Sequence, residues 1–372
     1  MNSRRPTLRS AGHGIRLTAV DLFSGCGGLT EGLKQAGFRV IGAVECDSLA
    51  AETYHANHDD VHLIRRDIRR ISASSLMKDL GLRKGSLALL AGCPPCQGFS
   101  AIRTRNGGKR VRDARNDLIY EFLRFARALK PKAIMMENVP ALARNRRLKE
   151  LVKSLSSLGY FCSVRVLDAA NYAVPQRRRR VVMLASVDQE IPIAKPSRSE
   201  RSVKDAIGHL KGKAGRTRDK LHYMPGKRSD LTERRIRAIP KNGGSRSSLP
   251  ADLKLKCHDH TDGFKDVYGR MRWDAVAPTI TGGCINPSKG RFLHPSEHRA
   301  ITLREAALLQ TFPKRYYFSL AQGRFPAALM IGNALPPEFV RRHASQVRNF
   351  LNKGVGNAHR RRSQNKPHRR SA

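Results

Sequence analysis

Two cysteines flank a pair of prolines in Cys93-Pro94-Pro95-Cys96, and the loop continues as Gln97-Gly98-Phe99-Ser100. It follows an apolar, strand-like run, Leu87–Ala91. A thiol on a proline-stiffened loop at a strand end is placed for nucleophilic attack rather than for packing. Only the thiolate is a competent nucleophile, so its surroundings must lower its pKa or supply a base. A carboxyl follows a second such run, in Glu137-Asn138-Val139 after Ala133–Met136. Taken alone, Glu137 reads equally well as a strand-end carboxylate in an ion pair. In Pro175-Gln176-Arg177-Arg178-Arg179-Arg180-Val181, Arg178 and Arg180 share one face of an entering strand by the period of two. The plainer reading of that run is a basic patch.

A CxxC also occurs in redox sites and as half of a zinc site. Zinc would need a second pair of ligands. Cys257, His258 and His260 are the only candidates, and they lie in an unrelated polar segment. A thioredoxin-like protein would want a shorter chain and another strand order. Cys96 is therefore the expected nucleophile, Cys93 a packing residue, and no metal is expected.

A ligand-binding loop comes earlier. Asp21-Leu22-Phe23-Ser24-Gly25-Cys26-Gly27-Gly28-Leu29-Thr30 joins a first strand to a first helix. Glycines there let backbone N–H groups and the helix N-terminus approach a ligand. Glu45, ending a second strand, can accept from ribose hydroxyls. Asp67, in Arg65-Arg66-Asp67-Ile68 after a third strand-like run, can accept an adenine amino group. The alternative is a tight turn that serves only helix–strand packing.

The loop around Cys96 resembles the catalytic loop of the DNA (cytosine-5)-methyltransferase family, and FxGxGG resembles the first motif of S-adenosylmethionine-dependent methyltransferases. Glu137-Asn138-Val139 is similar to the family's ENV motif, and Gln176 to Arg180 to its QRxRxx block. Gly269-Arg270-Met271-Arg272-Trp273-Asp274 with Ala277 to Thr281 resembles its ninth motif, and Gly332-Asn333-Ala334-Leu335-Pro336-Pro337 its tenth. The matches run in order from about Thr18 to about Phe350.

That resemblance implies an enzyme that moves the methyl group of S-adenosylmethionine to cytosine carbon 5 in double-stranded DNA. Addition of the Cys96 thiolate to carbon 6 makes carbon 5 an enamine nucleophile. Glu137 would contact ring nitrogen 3 and the exocyclic amine, and Asn138 would order the loop. Arg180 is expected at the flipped base, and Arg178 on the loop or on phosphate. The cofactor is expected against Phe23, Ser24, Gly25, Cys26, Gly27 and Gly28. Further cofactor contacts fall to Glu45, Cys46, Asp67 and Ile68, and to Pro95, Leu118 and Asn333. Cys46 stands where an aromatic often stacks on adenine, which bears on affinity. Gln97, Ser100 and Gln176 are expected on the DNA side, with Arg272 and Thr279 organising the region that reads it. A small branch of the family methylates tRNA and shares the PPCQ loop, and an inert DNA-binding relative is the other alternative. The Arg-rich variable segment favours DNA.

The elements that must position these groups alternate. Strands are expected at Leu17–Phe23, Phe38–Glu45, Leu87–Ala91, Ala133–Glu137, Phe161–Asp168 and Val181–Ala185, with helices at Gly28–Ala36, Asn116–Ala128 and Leu148–Leu158. The pattern predicts an α/β fold, a doubly wound, Rossmann-like domain with ligands at the carboxyl ends of its strands. Residues 17–187 are its first part, 188–300 a small, irregular target-recognition domain, and 301–352 a return to the catalytic domain. Thr302 with Glu305 predicts a capping box, and a last helix is expected over Pro337–Phe350. Residues 1–16 and 353–372 read as basic, flexible arms.

The 372 residues carry 71 Lys and Arg against 30 Asp and Glu, a net charge of +41. An excess this large points to a polyanionic partner. No apolar run approaches the roughly 18 residues of a membrane span, and the N-terminus lacks a signal-peptide core. Seven scattered cysteines give no disulfide framework. A cytoplasmic, nucleoid-associated monomer is expected. With no regulatory domain ahead of the catalytic one, it is expected to work beside a restriction endonuclease.

Overall fold

The computed structural model describes residues 17–95, 117–210, 218–223, 228–255 and 266–364, with side chains to residue 353. Seven strands form one sheet: β1 (Thr18–Leu22), β2 (Arg39–Val44), β3 (His62–Ile64), β4 (Leu89–Gly92), β5 (Ala133–Asn138), β6 (Phe161–Asp168) and β7 (Arg179–Ser186). Their order is β3-β2-β1-β4-β5-β7-β6. β1 to β5 are parallel, and β7 runs antiparallel to both its neighbours. β1 beyond Thr18, and β4 and β5 throughout, are buried because both faces of the sheet are covered.

Helices α1 (Gly28–Gln35), α2 (Ser48–Asn57), α3 (Ala73–Asp79), α4 (Leu118–Leu129) and α5 (Arg146–Ser157) connect the strands. The side chains of Asp47, Ser72 and Asn145 cap α2, α3 and α5 by accepting first-turn N–H groups. α4 and α5 bury an apolar stripe, with Phe122, Phe125 and Leu129 meeting Leu148, Leu151 and Leu155 on one face of the sheet. Among the described residues, five α-helices follow: α6 (Val203–Ile207), α7 (Asp230–Ala238), α8 (Leu303–Leu309), α9 (Arg324–Asn333) and α10 (Pro337–Gln364). α10 covers the other face beside α1, through Phe339, Val340, Ala344 and Val347.

The variable segment does not share one core. Val203, Ala206 and Ile207 join Leu303, Ala306 and Phe312, while Ile236, Leu249, Leu253 and Leu293 form a small cluster of their own. The capping box at Thr302 is present: Thr302 Oγ1 accepts from the Glu305 N–H at 3.2 Å, and Glu305 Oε2 from the Thr302 N–H at 2.7 Å. The last helix differs from expectation. It does not stop at Phe350 but continues to Gln364, through the start of the expected arm. Residues 1–16 and 365–372 lie outside the described residues.

Candidate active site

The carboxyl edge of β1 and β2 shapes a bare loop. Phe23, Gly25 and Gly27 adopt left-handed φ of 62°, 55° and 94°. Glycine removes the steric cost at two of these, and Phe23 pays it. Glu45 sits at the end of β2, where its carboxylate accepts from the N–H groups of Gly25, Cys46 and Asp47, each at 2.8 Å. A carboxylate offers about four lone-pair sites, so Glu45 anchors the loop and keeps roughly one site for a ligand. Ser24 ties the loop to β2 through its N–H and the Val44 carbonyl at 3.0 Å.

Under the loop lies a buried polar group that the sequence reading passed over. Thr30 Oγ1 donates to Asp21 Oδ2 at 2.7 Å and lies 2.9 Å from the Tyr54 hydroxyl. Asp21 Oδ1 has no hydrogen-bond partner, and burial pushes the carboxyl up to about 8. On the other side, Tyr316 donates to the Cys26 carbonyl at 2.6 Å, and His58 Nε2 lies 3.0 Å from the Tyr316 hydroxyl. A Cβ at Gly27 would strike Tyr316 and His58, and one at Gly28 would come within 2.6 Å of the Leu335 carbonyl. At Gly25 it would meet nothing within 4 Å. The loop is therefore packed on one side and bare on the other, which fits a bound nucleotide cofactor.

The remaining cofactor candidates divide. Asn333 ends α9 and is exposed, as is Cys46. Asp67 is engaged locally: it caps a turn by accepting from the Arg69 N–H at 3.0 Å and pairs with the Arg69 guanidinium, which holds its carboxyl down at about 2. Ile68 is buried, and its carbonyl accepts from Arg124 at 2.9 Å. Leu118 packs half-buried at the start of α4, and Pro95 is half-buried beyond β4.

β5 and β7 place the candidate catalytic residues Glu137, Asn138 and Arg180. Arg180 Nε donates to Glu137 Oε1 at 2.8 Å, with only 16% and 9% of the two side chains exposed. The antiparallel register sets Glu137 opposite Val182, so Arg180 stands just past the strand end beside the carboxylate. Asn138 Nδ2 donates to the Pro94 carbonyl at 2.8 Å, and its Oδ1 accepts from the Val139 N–H at 2.8 Å. Asn138 thus pins the foot of the cysteine loop. Burial, then the charges of Glu137 and Asp21, push the Cys93 thiol well up, so Cys93 is a protonated packing group. Cys96, Gln97 and Ser100 lie outside the described residues.

Three expectations on the DNA side change. Arg178 is buried and faces protein, donating to the carbonyls of Ile280 at 3.0 Å and Gly332 at 2.9 Å. Loss of water brings its guanidinium down to about 9, and no phosphate reaches it there. Gln176 is also buried, where Nε2 donates to Gln310 Oε1 at 2.6 Å and the Leu309 carbonyl at 3.1 Å, while Oε1 accepts from the Ile280 N–H at 3.0 Å. Arg272 is exposed and pairs with its neighbour Asp274 at 3.1 Å. The organising residue is Arg270, which donates to the carbonyls of Ile236, Ile239, Pro240, His294 and Glu297 at 2.5–3.2 Å. Thr279 does tie strand to segment, donating to the Arg177 carbonyl at 2.6 Å.

A seven-stranded sheet of this order, with helices on both faces and a glycine loop bare at the carboxyl edge, defines an α/β S-adenosylmethionine-dependent methyltransferase fold. Solved structures agree. A chain described as a DNA modification methyltransferase encoded within an E. coli prophage superposes with a TM-score of 0.67 at 24% identity, covering 90% of this chain and 99% of that one. The S. pombe Dnmt2 methyltransferase superposes with a TM-score of 0.60 at 21% identity, covering 91% and 100%. Residues 17–349 match the model of the C-5 cytosine-specific DNA methylase family, and the chain belongs to that family. By class it is a DNA (cytosine-5)-methyltransferase. It is 36% identical to the Type II methylase M.HgiDII of Herpetosiphon aurantiacus over 89% of this chain and 95% of that protein. It is 34% identical to the Type II methyltransferase M1.HphI of Haemophilus parahaemolyticus over 87% and 84%. Among the described residues no helix is long and apolar enough to cross a membrane.

Proposed function

We propose that this chain methylates one short duplex sequence through a covalent Cys96 adduct, with the target cytosine flipped out of the helix. The observation that carries the reading is the Glu137–Arg180 pair at 2.8 Å, set beside the Pro94 carbonyl that Asn138 holds. It puts an acid, a cation and the foot of a thiol-bearing loop at one strand edge. Flipping costs a few kcal/mol of unstacking, offset by phosphate contacts from the basic surface.

The Cys96 thiolate adds to carbon 6 while nitrogen 3 takes up a proton that it shares with the Glu137 carboxyl, and the exocyclic amine donates to that same carboxyl, which Arg180 holds. Charge that builds on the ring is met by that pair, and carbon 5 gains enamine character. Gly25, Glu45 and Asn333 would hold S-adenosylmethionine, whose sulfonium would give its methyl group to carbon 5 and depart as the neutral thioether. Loss of the carbon 5 proton and elimination of the Cys96 thiol restore the ring. Arg178 and Gln176 act behind this site, fixing the segment that carries Thr279 and Ile280.

The Type II names of its relatives support reading the chain as a modification enzyme; protection of host DNA from a partner endonuclease, and a cytoplasmic, nucleoid-associated monomer, are further parts of the same proposal. Bisulfite sequencing of DNA from cells expressing the chain, beside a Cys96→Ala control, tests it. Protected cytosines in one short motif, absent from the control, are the expected result. Protection that survives the substitution would remove Cys96 from the mechanism.

A further inference from the structure

The strand that carries Arg270 also fixes an exposed loop. Lys241-Asn242-Gly243-Gly244-Ser245-Arg246-Ser247-Ser248 contains no acid, and Asn242 and Gly243 take left-handed φ of 54° and 111°. The turn is tied from outside. Asn242 N–H donates to the Pro295 carbonyl at 2.9 Å, and the Gly244 carbonyl accepts from the Arg270 N–H at 2.9 Å. Arg291 Nη1 donates to the Gly243 and Gly244 carbonyls at 3.1 and 3.2 Å. The stem of Arg272 covers Gly243, where a Cβ would come within 2.7 Å of Cγ. Surface loops are ordinarily the mobile parts of a fold. This one has given up its freedom before any ligand arrives, which lowers the cost of binding one.

The side chain of Asn242 is fixed as well. Its Oδ1 accepts from the Trp273 N–H at 2.8 Å. A backbone N–H can face only an acceptor, so the two ends of the amide are distinguished. Nδ2 carries two donors, and among the described residues no protein acceptor takes them; Asn242 is exposed. A left-handed φ accounts for Asn or Gly at this position. It does not account for a pair of donors aimed at water.

The loop is joined to the base site by one extended segment. Trp273 meets Asn242 at one end of it. At the other, Ala277 bridges Gln176, and Thr279 donates to the Arg177 carbonyl at 2.6 Å. Arg177 leads into β7, where Arg180 meets Glu137. Trp273 to Ala277 and Gln176 to Arg180 are four steps each. At about 3.3 Å per step, the path is roughly 26 Å at full stretch, the rise of about eight base pairs. Asn242 therefore stands within reach of the base pairs beside a cytosine held at Glu137. Lys241 and Arg272 flank it, both exposed, with Arg272 paired to Asp274; cations so placed suit the phosphates on either side of a groove.

We propose that Asn242 reads one base of the target sequence, donating from Nδ2 to N7 of a purine in the major groove. The inference rests on the proposal that this chain acts on one short duplex sequence. On the major-groove edge both purines offer N7 as an acceptor, whereas cytosine offers only its N4 donor. Asn242 thus admits a purine at its position and turns cytosine away.

The test selects duplexes with a randomised stretch by binding to the full chain and to its Asn242→Asp and Asn242→Gly variants, with thermal unfolding of each. Asp keeps the acceptor that Trp273 uses and replaces the donors by a second acceptor. Gly keeps the left-handed turn and has no side chain. The unaltered chain should select a motif with one position at which a purine is preferred over cytosine about tenfold. Asn242→Asp should turn that position toward cytosine, whose N4 donor it accepts, and leave the other positions and the Tm as they were. Asn242→Gly should abolish the preference there. A motif that both variants leave intact would overturn the proposal. So would a loss spread evenly over all positions, or a fall in the Tm of Asn242→Asp, either of which would make Asn242 a turn residue only. Absence of any motif in the unaltered chain would overturn the single short target along with it. Binding is the readout, so failure of the Cys96 mechanism would leave the inference standing.

Discussion

The glycine loop after β1 and the seam around Arg178 solve opposite problems. The loop has spare N–H donors, and a carboxylate gathers them: Glu45 takes three. The seam joining residues 176–178, 280, 310 and 332 has spare carbonyls, and cationic or amide donors gather those. Arg178 spans Ile280 and Gly332, and Gln310 donates to the Ile331 carbonyl at 2.5 Å. The first arrangement stands half-exposed and can trade partners with a ligand. The second is sealed from water and cannot. Binding and positioning are thus assigned to acceptors and donors respectively, on two sides of one edge.

The sharpest way to break the contrast is Arg178→Met. It leaves two buried carbonyls without donors, at roughly 1–3 kcal/mol each, so thermal unfolding should show a loss of about 3 kcal/mol or more. A loss below about 1 kcal/mol would mean that the seam relaxes around the gap. Glu45→Gln sets an amide NH2 against at least one N–H that the carboxylate now accepts, so it should loosen the loop at a cost of about 1 kcal/mol and raise the KM for S-adenosylmethionine about tenfold, the equivalent of one charge-assisted hydrogen bond. An equal fall in kcat would place Glu45 in the chemical step instead.

Proton titration separates the regions further. His58 and His343 are buried and neutral, brought down to about 4 from 6.5 first by burial and then by Lys34 and Arg342. Unfolding lets both bind protons below pH 6.5, so stability is full above that value and falls as pH drops toward about 4. Asp21 has the opposite sign. Its folded value is raised from 3.8 to about 8, so its contribution is whole below pH 3.8 and is lost as pH rises through about 8. Tm against pH should therefore slope down on both flanks, and Asp21→Asn should flatten the fall between about pH 6.5 and 8 while steepening the rise between about pH 4 and 6.5. A flat alkaline flank in the unaltered chain would deny the neutral Asp21. The smallest effect belongs to Arg69→Ala. It removes an exposed ion pair and should change stability by less than about 0.5 kcal/mol, with the Tm above pH 5 as the measurement.

Groups that act on their own neighbours were legible in the sequence. The glycine loop, Glu45 at a strand end, the Thr302 capping box and the Glu137-Asn138 pair depend on spacing within a few residues. Gln176 and Arg178 were misread because their partners lie more than a hundred residues away and are backbone carbonyls or amides, which no side-chain pattern marks. Arg270 and Arg272 show the same limit at short range. Two residues apart in one motif, one is swallowed and the other exposed, and composition does not tell which. α10 outran its expected end at Phe350 because the basic run from Lys353 onward reads as a flexible arm, whereas the helix continues to Gln364.

Arg270 carries one more consequence. Five peptide carbonyls surround its guanidinium, and no carboxylate appears among its hydrogen-bond partners. Mobile ions screen exposed charges over about 10 Å at 0.1 M salt but reach buried dipoles far less. Concentrated salt should therefore strip nucleic acid from this protein during purification while leaving the segment that Arg270 holds assembled. A high-salt wash followed by dialysis should return active enzyme without a refolding step.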